Sequence, residues 1–155
     1  MGVRYLLDSN VIVFGGYVPS ENHLTKTTTP PFMAGLLFIG FLANKMPVAG
    51  MRFVADIVDE GPHVSVISKI EVLRFRDTPE NEAVLADFIN RSAICPLNHA
   101  AVDRTIGLCR QSRIKLPDAI IAATALAGNF VLVTRNTTDF KNITGIEIIN
   151  PWEIG

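Results

Sequence analysis

The chain is 155 residues long, a length that predicts one domain, residues 1–155, with a core large enough to need no covalent staples. With 48% hydrophobic residues, 19% charged residues and a mean hydropathy of +0.31, it falls outside the disordered and low-complexity classes. Fourteen Lys and Arg against fifteen Asp and Glu leave a net charge of −1, so no global positive field draws nucleic acid and any phosphate-binding surface has to be local.

Residues 3–7 (VRYLL) form a short apolar run stopped by Asp8-Ser9-Asn10, the pattern of a strand entering a helix cap, with a short helix over NVIVF and a stop at Gly15-Gly16. Arg4 and Asp8 break the apolar core that a secretory leader would need, and Leu6 stands where myristoylation asks for Ser or Thr. Cytoplasmic residence is the expectation. Residues 17–31 have the Thr- and Pro-rich composition of a loop, and residues 32–43 (FMAGLLFIGFLA) are the greasiest stretch. That stretch is shorter than the roughly 20 residues of a spanning helix, although residues 30–51 are interrupted only by Lys45. Membrane association is therefore not expected.

Residues 51–60 place Phe53, Val54, Ile57 and Val58 on one helical face, ended by Gly61-Pro62. A strand over 63–67 (HVSVI) follows, with Ser68 opening a helix and Glu71 three residues later completing an S-x-x-E capping box. Further helices are predicted over 80–90, 100–112 and 117–128, with strands over 93–97, 130–134 and 146–149. Five strands interleaved with helices, without a hairpin signal, predict an α/β fold with a parallel sheet. Cys95 and Cys109 are too few for a four-cysteine zinc site and are expected as buried reduced thiols. His23, His63 and His99 are isolated, no G-x-S-x-G motif accompanies them, and Trp152 is expected to pack rather than stack on bases.

Four acids occupy equivalent places in this scheme. Asp8 follows the first strand, Glu71 follows the second, Asp118 lies in a first helical turn, and Asp139 follows FVLVT. In open parallel sheets, sites lie beyond the carboxyl ends of strands, so three or four of these acids are positioned to converge. Each also has a local role open to it: Asp8, Glu71 and Asp118 as helix-terminal residues and Asp139 as a turn residue. Carboxylates gathered within about 4 Å repel by roughly 4 kcal/mol per pair at an effective dielectric of 20. A divalent cation relieves that repulsion. All-oxygen ligands select Mg²⁺ or Mn²⁺, which activate water and stabilise the leaving oxygen of a phosphodiester.

The strings LLDSNVIV, SVISKIEVL, KLPDAIIAATAL and LVTRNTTDF, in that order, resemble the four acidic motifs of the PIN domain family, especially its VapC-type toxin ribonucleases, and the NPW ending is similar to members of that group. The resemblance covers residues 3–16 and 51–155. It implies a three-layer α/β/α fold with a five-stranded parallel sheet and a Mg²⁺- or Mn²⁺-dependent endoribonuclease. Its implied partners are an RNA substrate, a small antitoxin protein and a second copy of the chain in a homodimer or higher homo-oligomer. Carried over by position, Asp8, Glu71, Asp118 and Asp139 are the metal-binding and catalytic acids, with Thr134 and Asn136 as polar helpers. Some relatives carry an acid at the position of Asn136. Ser9 and Asn10 are read as backbone or capping residues.

The chain departs from the compact family pattern in the 63 residues from Asp8 to Glu71, and residues 18–46 read as an insertion. Its apolar strip is compatible with a buried helix, an oligomer or partner surface, or a membrane-interface segment. Arg74, Arg76, Arg104, Arg110, Arg113 and Lys115 are the cations near the motif-bearing helices, either gripping phosphates or forming a solvated face. A haloacid-dehalogenase-like phosphatase would need D-x-D where this chain has Asp8-Ser9-Asn10. The reading from a different class is a non-catalytic PIN-like module that recruits a protein or RNA partner.

Overall fold

The computed structural model describes residues 2–12 and 46–155; the loop, greasy stretch and insertion read from the sequence lie almost wholly outside them. Five short strands are connected through helices. β1 (Tyr5–Leu7) leads into α1 (Ser9–Ile12). Beyond residue 45 come α2 (Val48–Asp59), β2 (His63–Ser65), α3 (Val66–Leu73), α4 (Pro79–Arg91) and β3 (Ala93–Cys95). The chain then forms α5 (His99–Gln111), α6 (Leu116–Gly128), β4 (Val131–Val133), α7 (Thr137–Phe140) and β5 (Glu147–Ile149). A 3₁₀ turn at Pro151–Glu153 closes the fold.

The sheet order is β3-β2-β1-β4-β5 and every pairing is parallel, as the strand–helix alternation predicts. β1 lies at the centre. Alternation along the strands then divides the interior in two, because successive side chains point to opposite faces. Leu7 and Val133 enter one core with Val11, Ile12, Val54, Ile57, Val72 and Phe88, contributed by α1 to α4. Leu6 and Leu132 enter the other with Ile121, Ala122, Ala125 and Phe140, contributed by α6 and α7, while Leu108 of α5 packs at its margin. Helices therefore cover both faces, giving three α/β/α layers.

Most helix ends follow local chemistry. Thr78 caps α4 by accepting from Asn81 N at 3.3 Å, with Pro79 in its first turn, and Asn98 caps α5 by accepting from Ala101 N at 3.0 Å. The expected strand over 63–67 stops at Ser65 instead. Ser65 Oγ accepts from Ser68 N at 3.0 Å, so it is Ser65 that caps α3, and Ser68 lies inside the helix, buried. The S-x-x-E capping box expected of Ser68 and Glu71 does not form; Glu71 occupies the second turn of α3. Cys95 and Cys109 are free thiols, but Cys109 is exposed because it falls on the solvent side of α5, against the expectation of two buried thiols.

The C-terminal turn is docked by close backbone approach. A Cβ on Gly50 of α2 would lie 1.9 Å from the Pro151 carbonyl oxygen, so this helix position accepts no side chain without displacing the turn. Trp152 packs against the first core, with the Arg135 guanidinium 4.9 Å from its ring centroid. Gly50→Ala should therefore destabilise the fold by about 1–3 kcal/mol, although Ala is the better helix former. Trp152 is the only tryptophan, so its fluorescence in Gly50→Ala should report a shift toward solvent as the turn is displaced, together with a lower melting temperature.

Candidate active site

In a doubly wound sheet the crevice for a ligand opens where the strand order reverses, beyond the carboxyl ends of the strands. Here the reversal falls between β1 and β4, and their first following residues are Asp8 and Thr134. The ladder carries on past the strands, with Asp8 N donating to Val133 O at 3.0 Å and Thr134 N to Ile149 O at 3.0 Å. Both side chains are held in the interior, Asp8 at 4% exposure and Thr134 at 0%. Thr134 Oγ1 donates to Asp8 Oδ2 at 2.8 Å. The two ends of the crevice are thereby tied through the carboxylate itself.

The next two residues serve the same group. Asn10 Nδ2 donates to Asp8 Oδ2 at 2.9 Å and to Thr134 Oγ1 at 3.0 Å, and Asn10 Oδ1 accepts from Arg135 N at 3.0 Å. Ser9 N donates to Asp8 Oδ1 at 2.7 Å, and Ser9 Oγ donates to Glu71 Oε2 at 2.5 Å. Ser9 and Asn10 are thus side-chain members of the network, where the sequence suggested a backbone or capping role. Their signal was visible: two polar residues interrupt an apolar run directly after the acid.

The remaining acids arrive from separate elements. Glu71 projects from α3, Asp118 from the first turn of α6, and Asp139 from α7, where Asn136 Nδ2 donates to Asp139 Oδ2 at 2.6 Å. Asn136 N also donates to Thr134 Oγ1 at 3.0 Å, linking this acid to the Asp8 network. Burial pushes the Asp8 carboxyl up to about 6; its hydrogen bonds from Thr134 and Ser9 lower it, and the charges of Glu71 and Asp118 raise it. Burial also raises the Asp118 carboxyl, with Asp139 and Glu71 adding to the rise and Lys115 opposing it. The four acids form one electrostatic group.

Among the described residues no three His, Cys, Asp or Glu side chains are close enough to enclose a metal ion between them. The donor set nevertheless fits a hard cation that keeps most of its water. Mg²⁺ is commonly bound through one or two carboxylates with water filling the other positions. The donors to Asp8 named above are neutral, so its buried charge lacks a cationic partner among them.

Two clefts border the group. One, of about 470 Å³, is lined by Ser9, Asn10, Glu71, Arg74, Phe75 and Arg76. The other, of about 640 Å³, brings Asp118 and Asp139 together with Arg104, Arg113 and Lys115. Arg110 lines neither of them. A larger cavity of about 1180 Å³ opens at the opposite, amino ends of the strands, beside Arg4, His63 and Phe130. Its Arg4 guanidinium is already engaged, donating to Gly128 O and lying 4.5 Å from the Phe130 ring centroid. His63 there is held below its ordinary range by burial and by Arg4, and the four acids are elsewhere.

An α/β sheet with carboxylates converging at its switch point defines a class of acidic-site proteins, and the PIN domain model matches residues 45–146. The chain belongs to the PIN domain family. It is 43% identical over 53 residues to the plasmid stability protein StbB of Pseudomonas syringae pv. tomato, 34% of each chain. It is 53% identical over 36 residues to the VapC ribonuclease Y4jK of Sinorhizobium fredii, 23% of this chain and 25% of that one. The matched segments thus span about a third and a quarter of these curated relatives. Among solved structures, a toxin–antitoxin complex from Klebsiella pneumoniae matches with a TM-score of 0.60 at 23% identity, over 97% of this chain and 99% of that one. The Rickettsia felis VapBC2 structure, bound to a DNA fragment from its promoter, matches with a TM-score of 0.63 at 19% identity, over 96% and 98%. At these identities the structural matches establish the fold.

The raised Asp8 carboxyl makes stability depend on pH. Its folded-state value, about 6, exceeds the ordinary 3.8, so the folded state binds the proton more tightly and this contribution is greatest below the ordinary value. As pH rises from about 4 through 6, Asp8 should cost the metal-free protein stability on the order of 3 kcal/mol. Urea unfolding in EDTA at pH 5 and pH 7 should show the part of that loss that falls between them, about 1 kcal/mol, in the wild-type protein and a smaller one in Asp8→Asn, which cannot titrate there.

Proposed function

We propose that this chain is a metal-dependent endoribonuclease of the PIN type, acting as the toxin of a type II toxin–antitoxin pair. The observation that carries the reading is the buried, charge-frustrated carboxylate of Asp8 at the switch point, electrostatically joined to Glu71 and Asp118. Asp8, Glu71, Asp118 and Asp139 are the residues that would hold Mg²⁺ or Mn²⁺, one or two of them directly and the others through its water. When bound, such an ion supplies positive charge for the phosphoryl oxygens and acidifies water for in-line attack.

The rest of the work belongs to the chain. Thr134 and Asn10 hold both the position and the ionised form of Asp8 by donating to the same oxygen. Ser9 orients Glu71, and Asn136 orients Asp139, so three of the four acids are aimed by a neighbouring side chain. Fixing carboxylates before substrate arrives is what electrostatic preorganisation requires. The toxin role is supported by the relatives, a VapC ribonuclease and a plasmid stability protein, and by the fold shared with the Klebsiella toxin–antitoxin complex. On this reading the chain works in the cytoplasm, as a homodimer or higher homo-oligomer, and is held inactive by a small antitoxin. Among the described residues no helix is long and apolar enough to cross a membrane.

Purified protein incubated with mixed single-stranded RNA and tRNA should cut in Mn²⁺ or Mg²⁺ and not in EDTA. Asp8→Asn and Asp118→Asn should each lower the rate at least about 100-fold, the scale for removing a group that stabilises transition-state charge. Folded, cation-loaded protein that leaves the whole pool intact would replace this reading with that of a binding module. In the same preparations, Mn²⁺ should raise the melting temperature at pH 7 more than at pH 5, where Asp8 holds its proton.

A further inference from the structure

The acids of the site are shared out between two clefts, and each cleft carries its own cations. Glu71 lies in the smaller cleft with Arg74 and Arg76, at the carboxyl end of α3. Asp118 and Asp139 lie in the larger one with Arg104, Arg113 and Lys115, between α5 and the start of α6. All five cationic side chains are exposed, and among the described residues none forms an ion pair within 4 Å. Unneutralised guanidinium groups beside a carboxylate cluster are the arrangement that a polyanion crossing that cluster needs. It is gripped on either side and repelled at the middle until a cation is present.

The smaller cleft has one more feature. Phe75 stands between Arg74 and Arg76, half-buried, packed on one side against the first core and lining the cleft beside Ser9 and Glu71. An aromatic ring flanked by two cations offers a base a stacking surface and its neighbouring phosphates two charges. Only an unpaired base can use it, because the bases of a duplex already stack on one another.

We propose that a single-stranded RNA crosses the site in two seats: an unpaired nucleotide stacks on Phe75 between Arg74 and Arg76, and the strand on the far side of the acids is held by Arg104, Arg113 and Lys115. The proposal rests on the ribonuclease reading above and adds to it the strand form and the residues that recognise it. The two seats also set the path of the strand, from the α3 end past the acids to the α5–α6 cleft.

The test uses the full-length protein in EDTA, so that binding is measured apart from cleavage, with a labelled twelve-nucleotide single strand and an RNA hairpin of the same composition, over a salt series. The single strand should bind more tightly than the hairpin. Arg76→Gln and Arg113→Gln should each reduce the salt slope by about 0.7, the value for one phosphate contact on a single strand. Phe75→Leu should weaken single-strand binding about tenfold with an unchanged slope, and Phe75→Tyr should retain it. Melting curves identify a Leu variant that has lost its fold, in which case the two arginine slopes decide. Equal binding of hairpin and single strand, unchanged slopes in both arginine variants, or wild-type binding by folded Phe75→Leu would overturn the proposal. Cleavage in Mn²⁺ by a protein whose variants bind like the wild type removes the seats and leaves the nuclease; seats that bind as stated in a protein that cuts nothing remove the nuclease and leave the seats.

Discussion

The burial of one carboxylate organises this molecule. Asp8 sits at the carboxyl end of the central strand, almost fully removed from water, and the donors around it are a hydroxyl, an amide and a backbone N–H. Neutral hydrogen bonds of this kind favour the charged form, yet burial outweighs them and pushes the carboxyl up to about 6. A protein selected for stability alone would place a smaller apolar or neutral polar side chain there. That Asp8 persists in the interior, with two further acids raising it, marks a position where the fold gives up stability for an electrostatic environment.

The topology makes that environment possible. Because β1 is central, its end abuts the end of β4, and Thr134 reaches across the reversal to Asp8 from 126 residues away in sequence. The same register places Leu6 with Leu132 in one core and Leu7 with Val133 in the other, so both faces of the sheet lock the two strand ends. A one-residue slip of β4 would exchange its faces and carry Thr134 away from Asp8. Packing and site geometry are therefore set by one register.

Much of this was legible in the sequence because it is local. Alternating strands and helices announced the parallel sheet; Pro117 marked a helix start; Asp8 and Asp118 stood at the end of a strand and the start of a helix. What local pattern misread was the choice between equivalent partners. Ser65 and Ser68 are both competent caps, and only the docking of β2 against β1 and β3 selects Ser65, which puts Glu71 in mid-helix and frees it for Ser9. Ser9 and Asn10 look like a helix start when read along the chain. Their partners at Glu71 and Thr134 lie 62 and 124 residues away, a distance that no window of local sequence spans.

Net charge was the least informative number in the composition. A total of −1 describes a chain with no long-range pull on a polyanion, but charge acts over about 10 Å at moderate ionic strength, so each neighbourhood has to be weighed separately. At the switch point the neighbourhood is acidic and partly buried; in each of the two adjoining clefts exposed cations outnumber the acids by one. Opposite signs held so close would collapse into salt bridges if the side chains could reach one another. They do not, because Arg74 and Arg76 lie at and beyond the end of α3, Arg104 is exposed on α5 and Arg113 lies in the 112–115 loop, while Asp8, Glu71 and Asp139 are tied back by Thr134, Ser9 and Asn136. The hydrogen bonds that aim the carboxylates also keep them from neutralising the cations beside them, so both sets of charge stay available to a ligand that carries phosphate and to the ion that would bridge it.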